Sequence, residues 1–311
     1  MNMFHNGGIL VTLKIITDSA CDLPDDLIQK YDIDVLPFLV YVDDKEYRDG
    51  VNITTTEVYD AIHAGKIPTT GQVPMDAIAT TFKRYADQGR QCLYLSFSSK
   101  LSGTYNTVRL VAQEMKKSFM NFQVTVVDTL SGSLGQGLIA LEAAQMALAG
   151  MDPAAIIERA QKRSSNNVEH IFSVDDLGYL HRGGRVSYAS AFLGGLLQVK
   201  PILHVQDGLM IPFQKVRGKN MAIKRIVELV KERSLGHADQ IIGITHADDA
   251  PVAEQLKAML RDTLGYQKFI VNLIGSVLAC HIGIGGVAVF AVNSKIPAAN
   301  LGPAMEEHGV L

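Results

Sequence analysis

The sequence predicts an α/β protein built as two α/β domains with mainly parallel sheets, and three observations predict it. Short apolar runs rich in β-branched residues alternate with helix-period runs over nearly the whole chain, as strands covered by helices do. The helical runs are apolar on one face, so each has a sheet to cover. At 311 residues the chain exceeds the roughly 250–300 residues at which a single core stops growing.

In order along the chain, strands are expected at 14–17, 35–42, 92–97, 123–127, 168–174, 240–245 and 269–274, with helices between them. The helix opening near Ser102 places Val108, Val111 and Met115 on one face. The helix from Lys219 repeats Ile223, Ile226, Val227 and Val230 at i, i+3, i+4 and i+7, the spacing of a single apolar stripe. At Ala149-Gly150-Met151-Asp152-Pro153 one helix stops and another starts, with Asp152 as N-cap and Pro153 at the first helical position, where a missing N–H costs nothing. The polar run Arg163-Ser164-Ser165-Asn166-Asn167 follows, and the domain boundary is expected near 165, giving domains at 13–165 and 166–296. Segments 201–205 and 210–216 flank Asp207-Gly208, a dipeptide suited to a hairpin turn.

Composition excludes several functions. The 29 basic and 32 acidic residues give a net charge of −3, without a polybasic run to track a phosphate backbone, so nucleic acid is not an expected partner. Cys21, Cys92 and Cys280 are odd in number and far apart, which argues against a disulfide framework or a zinc site and fits a reducing cytoplasm. No metal or cofactor is expected. No apolar run reaches the roughly 18 residues of a membrane span. The Ile9-Leu10-Val11 piece lacks the basic flank and cleavage pattern of a signal peptide, and reads as a start-site extension.

Familiar catalytic signatures are missing: the sequence has no GxSxG elbow, HExxH helix, Walker A loop or EF-hand loop. Gly283 to Ala288 satisfies GxGxxA, but too little chain follows to complete a βαβ nucleotide unit. The richest stretch is Ser96-Phe97-Ser98-Ser99-Lys100-Leu101-Ser102-Gly103-Thr104-Tyr105. It ends a strand and opens a helix, where free N–H groups and hydroxyls can hold an oxyanion; capping by Ser98, Ser99 or Ser102 is the alternative. Thr69-Thr70-Gly71-Gln72 is a second hydroxyl cluster before a helix, with ordinary capping as its plainer explanation. His281, between apolar runs and beside glycines, can donate to a carboxylate or simply bond to backbone. Leu177 to Ser187 combines a helical turn, a Gly-Gly stop and Arg182 and Arg185, which suits either an anionic head group or a basic helix C-terminus. Asp18-Ser19, after the first strand, is a cap or part of a site.

Taken in order, Thr17-Asp18-Ser19, Thr69 to Gln72, Ser98 to Tyr105, Val127-Asp128-Thr129, Leu180 to Ser187, Lys215-Val216-Arg217-Gly218 and His281 with its glycines resemble the DegV family of bacterial fatty-acid-binding proteins. Over about 13–292 the resemblance implies two α/β domains with an acyl chain between or beneath them. It also implies a carboxylate held at Thr70, Ser99 and His281, with Ser98, Ser102 and Arg185 nearby. Gly71, Val73 and Ile284 depart from the family pattern. The family resembles the lipid-presenting subunit of fatty acid kinase, so the implied partners are a long-chain fatty acid and a separate kinase subunit. The expectation is therefore a lipid-binding protein and not a catalyst. The rivals are a small-molecule acyl or phosphoryl transferase with Ser98 or Ser99 as nucleophile and His281 as base, and a sensor of another apolar ligand such as a retinoid or sterol.

Overall fold

The computed structural model describes residues 13–186, 199–234 and 239–293. The Ile9-Leu10-Val11 piece, Ser187 and residues 294–296 lie outside this set. Apolar β1 (Lys14–Asp18) leads through a 3₁₀ turn at Ser19–Cys21 into α1 (Asp25–Lys30) and β2 (Asp34–Leu36). Next come β3 (Leu39–Val42), β4 (Lys45–Arg48), α2 (Thr55–His63), β5 (Thr69–Gly71), α3 (Met75–Asp87) and β6 (Cys92–Ser96). The first half closes with α4 (Thr104–Ser118), β7 (Val124–Asp128), α5 (Leu134–Leu148) and α6 (Pro153–Arg163). Strands β2, β1, β6 and β7 form a parallel sheet in that order. A small antiparallel sheet, β4-β3-β5, stands beside it.

The run expected as one strand over 35–42 is thus two strands in different sheets. Pro37 between them has no N–H to give a ladder, and the turn is held instead by Phe38 N–H donating to Ser19 Oγ at 3.1 Å. Asp152 caps α6 through the N–H groups of Ala154 and Ala155, with Pro153 at the first turn.

The second half contains β8 (Val168–Ser173), α7 (Leu177–Arg182), β9 (Val199–Gln206), β10 (Leu209–Arg217), α8 (Lys219–Arg233) and β11 (Ile241–His246). It continues with α9 (Ala250–Leu264), β12 (Lys268–Leu273), α10 (Ser276–Ile282) and β13 (Val287–Val292). The six strands run in the order β10-β9-β8-β13-β11-β12. The parallel expectation holds for the four-stranded sheet, whereas here β11 and β12 alone pair parallel. Two causes are visible: the Asp207-Gly208 turn folds β9 onto β10 as a hairpin, and β13 inserts antiparallel between β8 and β11.

One helix joins the halves. All residues of α5 from Leu134 to Met146 are buried, as a helix apolar on every side must be. It packs on β1 and β6 from the first sheet and on β8, β11 and β13 from the second. Of its few polar residues, Glu142 pairs with Arg159 and Arg163 of α6 at 3.0 and 2.7 Å, and the Gln136 amide donates to Thr17 Oγ1 and Asp18 Oδ1. Buried charges of this kind are tolerated only when paired. The crevice between the sheets, at the carboxyl ends of β1 and β6, is where ligands of open α/β sheets sit.

Candidate head-group chamber and inner pocket

The chamber is assembled from chain segments distant in sequence. The end of β5 supplies Thr70, Gly71 and Gln72, the loop after β6 supplies Phe97, Leu101, Ser102 and Gly103, and Arg185 follows α7. Met210 of β10, Phe38, and Val277, Leu278 and His281 of α10 complete a cavity of about 250 Å³. Antiparallel pairing of β5 with β3 sets Thr70 opposite Val40 and fixes the first hydroxyl cluster at the rim.

Thr70 and His281 meet directly, with Thr70 Oγ1 2.8 Å from His281 Nε2. Burial, and after it the neighbouring Arg185 guanidinium, pull the histidine down to about 4, so the ring is neutral at pH 7. Its other face lies so close to Gly183 that a Cβ there would sit 2.5 Å from Nδ1. The Gly-Gly stop after α7 is therefore a packing requirement of the histidine as well as a helix end. Arg185 is half-buried and donates Nε to the Leu101 carbonyl at 3.2 Å and Nη1 to the Gly183 carbonyl. These two bonds aim a fixed cation at the chamber.

The serines divide. Ser102 lines the cavity, its Oγ 3.0 Å from Thr104 Oγ1 and accepting from the Thr104 N–H. Neither Ser98 nor Ser99 is in the wall. Ser98 is fully buried and donates its hydroxyl to the Gly208 carbonyl at 2.8 Å, clasping the β9–β10 hairpin to the loop after β6. Ser99 is held by its backbone N–H, which donates to Asp128 Oδ1 at 3.1 Å. Of the three serines singled out in the sequence, Ser102 is the one in the chamber wall. His281 Nε2 meets Thr70 and the Ser98 hydroxyl donates to the Gly208 carbonyl, so these two do not pair as nucleophile and base.

Behind the chamber is a second space of about 40 Å³, walled by Phe172, Val205, Ile274, Ile282, Ala288 and Phe290 among others. It shares Leu101, Met210 and Leu278 with the chamber. The polar residues touching it turn their polar atoms elsewhere. Ser133 donates to Asp22, Thr245 meets Ser133 at 3.3 Å, and neutral His170 has both nitrogens on backbone groups of Val168 and Gly132. The two spaces, one with polar groups in its wall and one apolar, thus share three apolar side chains. Sequence reasoning missed those three side chains, because Leu101, Met210 and Leu278 sit in ordinary apolar positions of a loop, a strand and a helix.

Among the described residues no helix is long and apolar enough to cross a membrane, and no cluster of three or more His, Cys, Asp or Glu has metal-binding geometry. Outside the chamber His63 Nε2 lies 2.7 Å from Asp248 Oδ2, and Lys219 pairs with Asp249.

Comparison with known proteins converges on one family. Residues 12–294 match the family model described as uncharacterised protein, DegV family. A DegV domain-containing protein of Clostridium perfringens is 36% identical over 279 residues, covering 89% of this chain and 96% of its own. Among solved structures, a DegV family protein from Thermus thermophilus, described by its fatty acid binding, superposes with a TM-score of 0.83 at 31% identity, covering 91% of this chain and 100% of its own. A DegV lipid-binding protein from Thermotoga maritima gives a TM-score of 0.82 at 31% identity, covering 91% and 99%. The chain therefore belongs to the DegV family.

Proposed function

We propose that this protein binds a long-chain fatty acid and presents its carboxylate at the chamber to a separate kinase subunit. The observation that carries the reading is a chamber with polar groups in its wall beside an apolar pocket, the two sharing Leu101, Met210 and Leu278; the fatty acid bound by the Thermus thermophilus relative supports it. Thr70, Ser102 and His281 supply the head-group hydrogen bonds, and Arg185 the positive field. Ser102 takes the role that the resemblance suggested for Ser99, because it is the serine in the wall. The two domains divide near residue 165, in the polar link between α6 and β8.

The energetics separate affinity from orientation. Each buried methylene contributes about 0.8 kcal/mol, so a dozen give roughly 10 kcal/mol before ordering costs. A long tail exceeds the 40 Å³ inner space, so its entry displaces Leu101, Met210 and Leu278; unbranched Met210 adapts to this most readily. A carboxylate drawn in without partners would cancel much of that gain. Held by hydroxyls, a neutral imidazole and a nearby guanidinium, it stays at the half-exposed rim with an oxygen free to attack a phosphoryl group. The sequence lacks a Walker A loop, and the phosphate donor is supplied by the partner subunit, which makes the acyl phosphate while the tail remains buried.

Organic extraction and mass spectrometry of the purified protein test the reading. A stoichiometric C14–C18 fatty acid is the expected result. A retinoid, a sterol or no lipid, together with no binding of added palmitate, refutes it.

A further inference from the structure

We infer that Asp22, outside the chamber, is the positioning residue that sets His281 in place by anchoring the far end of α10; this rests on the fatty-acid reading above. Helix α10 is seven residues long and carries Val277, Leu278 and His281 into the chamber. So short a helix has little stability of its own, and its position depends on what holds its first turn. That turn is held from the other domain. Asp22 Oδ1 accepts the Gly275 N–H at 3.0 Å, while the Asp22 carbonyl accepts from Asn272 Nδ2 at 2.9 Å.

The contacts around Asp22 leave it little freedom. Its Oδ2 accepts the Ser133 hydroxyl at 2.5 Å. Ser133 has φ 51° and ψ −146° at the start of α5, a backbone region that is costly for any residue but glycine and persists only when its surroundings fix it. Gly275 approaches so closely that an added Cβ would lie 2.6 Å from Asp22 Oδ1. Fully buried Ser276 continues the anchor, its hydroxyl lying 3.3 Å from Thr55 Oγ1. Tyr59 of α2 donates to the Ile274 carbonyl at 3.1 Å. No contact of Asp22 reaches the chamber wall; through Ser133 it also touches the border of the inner pocket, so a ligand that reads the tail alone is measured beside palmitate.

Paired binding measurements with palmitate and hexadecanol test this, because the two share a tail and differ in the group His281 meets. In the wild type, palmitate is preferred. Asp22→Ala is expected to lower that preference at least tenfold, the scale of a lost hydrogen bond to a charged group, while hexadecanol affinity stays within about threefold. Asp22→Asn keeps an oxygen for Gly275 N–H and restores the preference. Gly275→Ala pushes the anchor apart and reproduces the Asp22→Ala result; it decides the matter if Asp22→Ala does not fold. An unchanged preference in the alanine variants, or an equal loss for both ligands, overturns the inference while leaving the fatty-acid reading standing. A wild type that binds neither ligand overturns the fatty-acid reading itself and the inference with it.

Discussion

Replacing Thr70 with valine isolates the hydroxyl from everything else the residue does. Valine keeps the β-branched shape that suits β5 opposite Val40, and removes the oxygen 2.8 Å from His281 Nε2. Two effects follow. The half-buried Thr70–His281 bond is lost, costing about 1 kcal/mol of stability. A bound carboxylate also loses a charge-assisted partner worth about 1.5–3 kcal/mol, which corresponds to a Kd roughly 10- to 150-fold weaker. The tail term is untouched, so binding persists at reduced affinity. Displacement of a fluorescent fatty acid by palmitate measures the shift, and a thermal melt measures the stability cost on the same sample. A palmitate Kd within twofold of wild type would refute the assignment of Thr70 to the head group. So would an equally large loss for hexadecanol, because the hydroxyl would then be shaping the cavity and not holding the charge.

Three further outcomes are expected. Ser98→Ala removes the clasp on the Gly208 carbonyl and costs roughly 1 kcal/mol, about 2–4 °C in Tm, with palmitate affinity unchanged within twofold; calorimetry with parallel binding data checks both halves. Ala288→Leu, on the wall of the inner pocket, fills the space meant for the tail, and mass spectrometry of extracted lipid should show a shift to shorter chains, at about 1–3 kcal/mol of overpacking. Burial raises the Asp22 carboxyl from 3.8 to about 7, against the hydrogen bonds from Ser133 and Gly275. A raised folded-state value contributes stability that is fully present below pH 3.8 and is lost as pH rises through 7. Melting curves of wild type and Asp22→Asn from pH 4 to 8 should therefore show the variant gaining on wild type up to about pH 7 and no further. A constant difference across that range contradicts the burial argument.

What the sequence by itself determined is what periodicity and turn chemistry encode locally. Alternation of apolar runs identified the α/β class. Asp152-Pro153 marked the start of α6, Asp207-Gly208 the hairpin, and the apolar faces of α4 and α8 the sheets they cover. Thr70, Ser102, Arg185 and His281 were all legible as chemistry-bearing residues at loop and helix ends, and the chamber gathers all four. Tertiary structure decided what local pattern does not carry. The direction of strand pairing depends on which edge a later strand finds, so the antiparallel insertion of β13 has no signature in its own residues. Whether Ser98, Ser99 or Ser102 faces the chamber depends on the turn after β6, which Asp128 and the Gly208 carbonyl shape from far along the chain. The 2.8 Å approach of Thr70 to His281 spans 211 positions. It exists because α10, which links β12 to β13 of the six-stranded sheet, packs against β3 and β5 of the small sheet, and long-range packing of that kind is fixed by the complementarity of two surfaces that no single stretch of sequence contains.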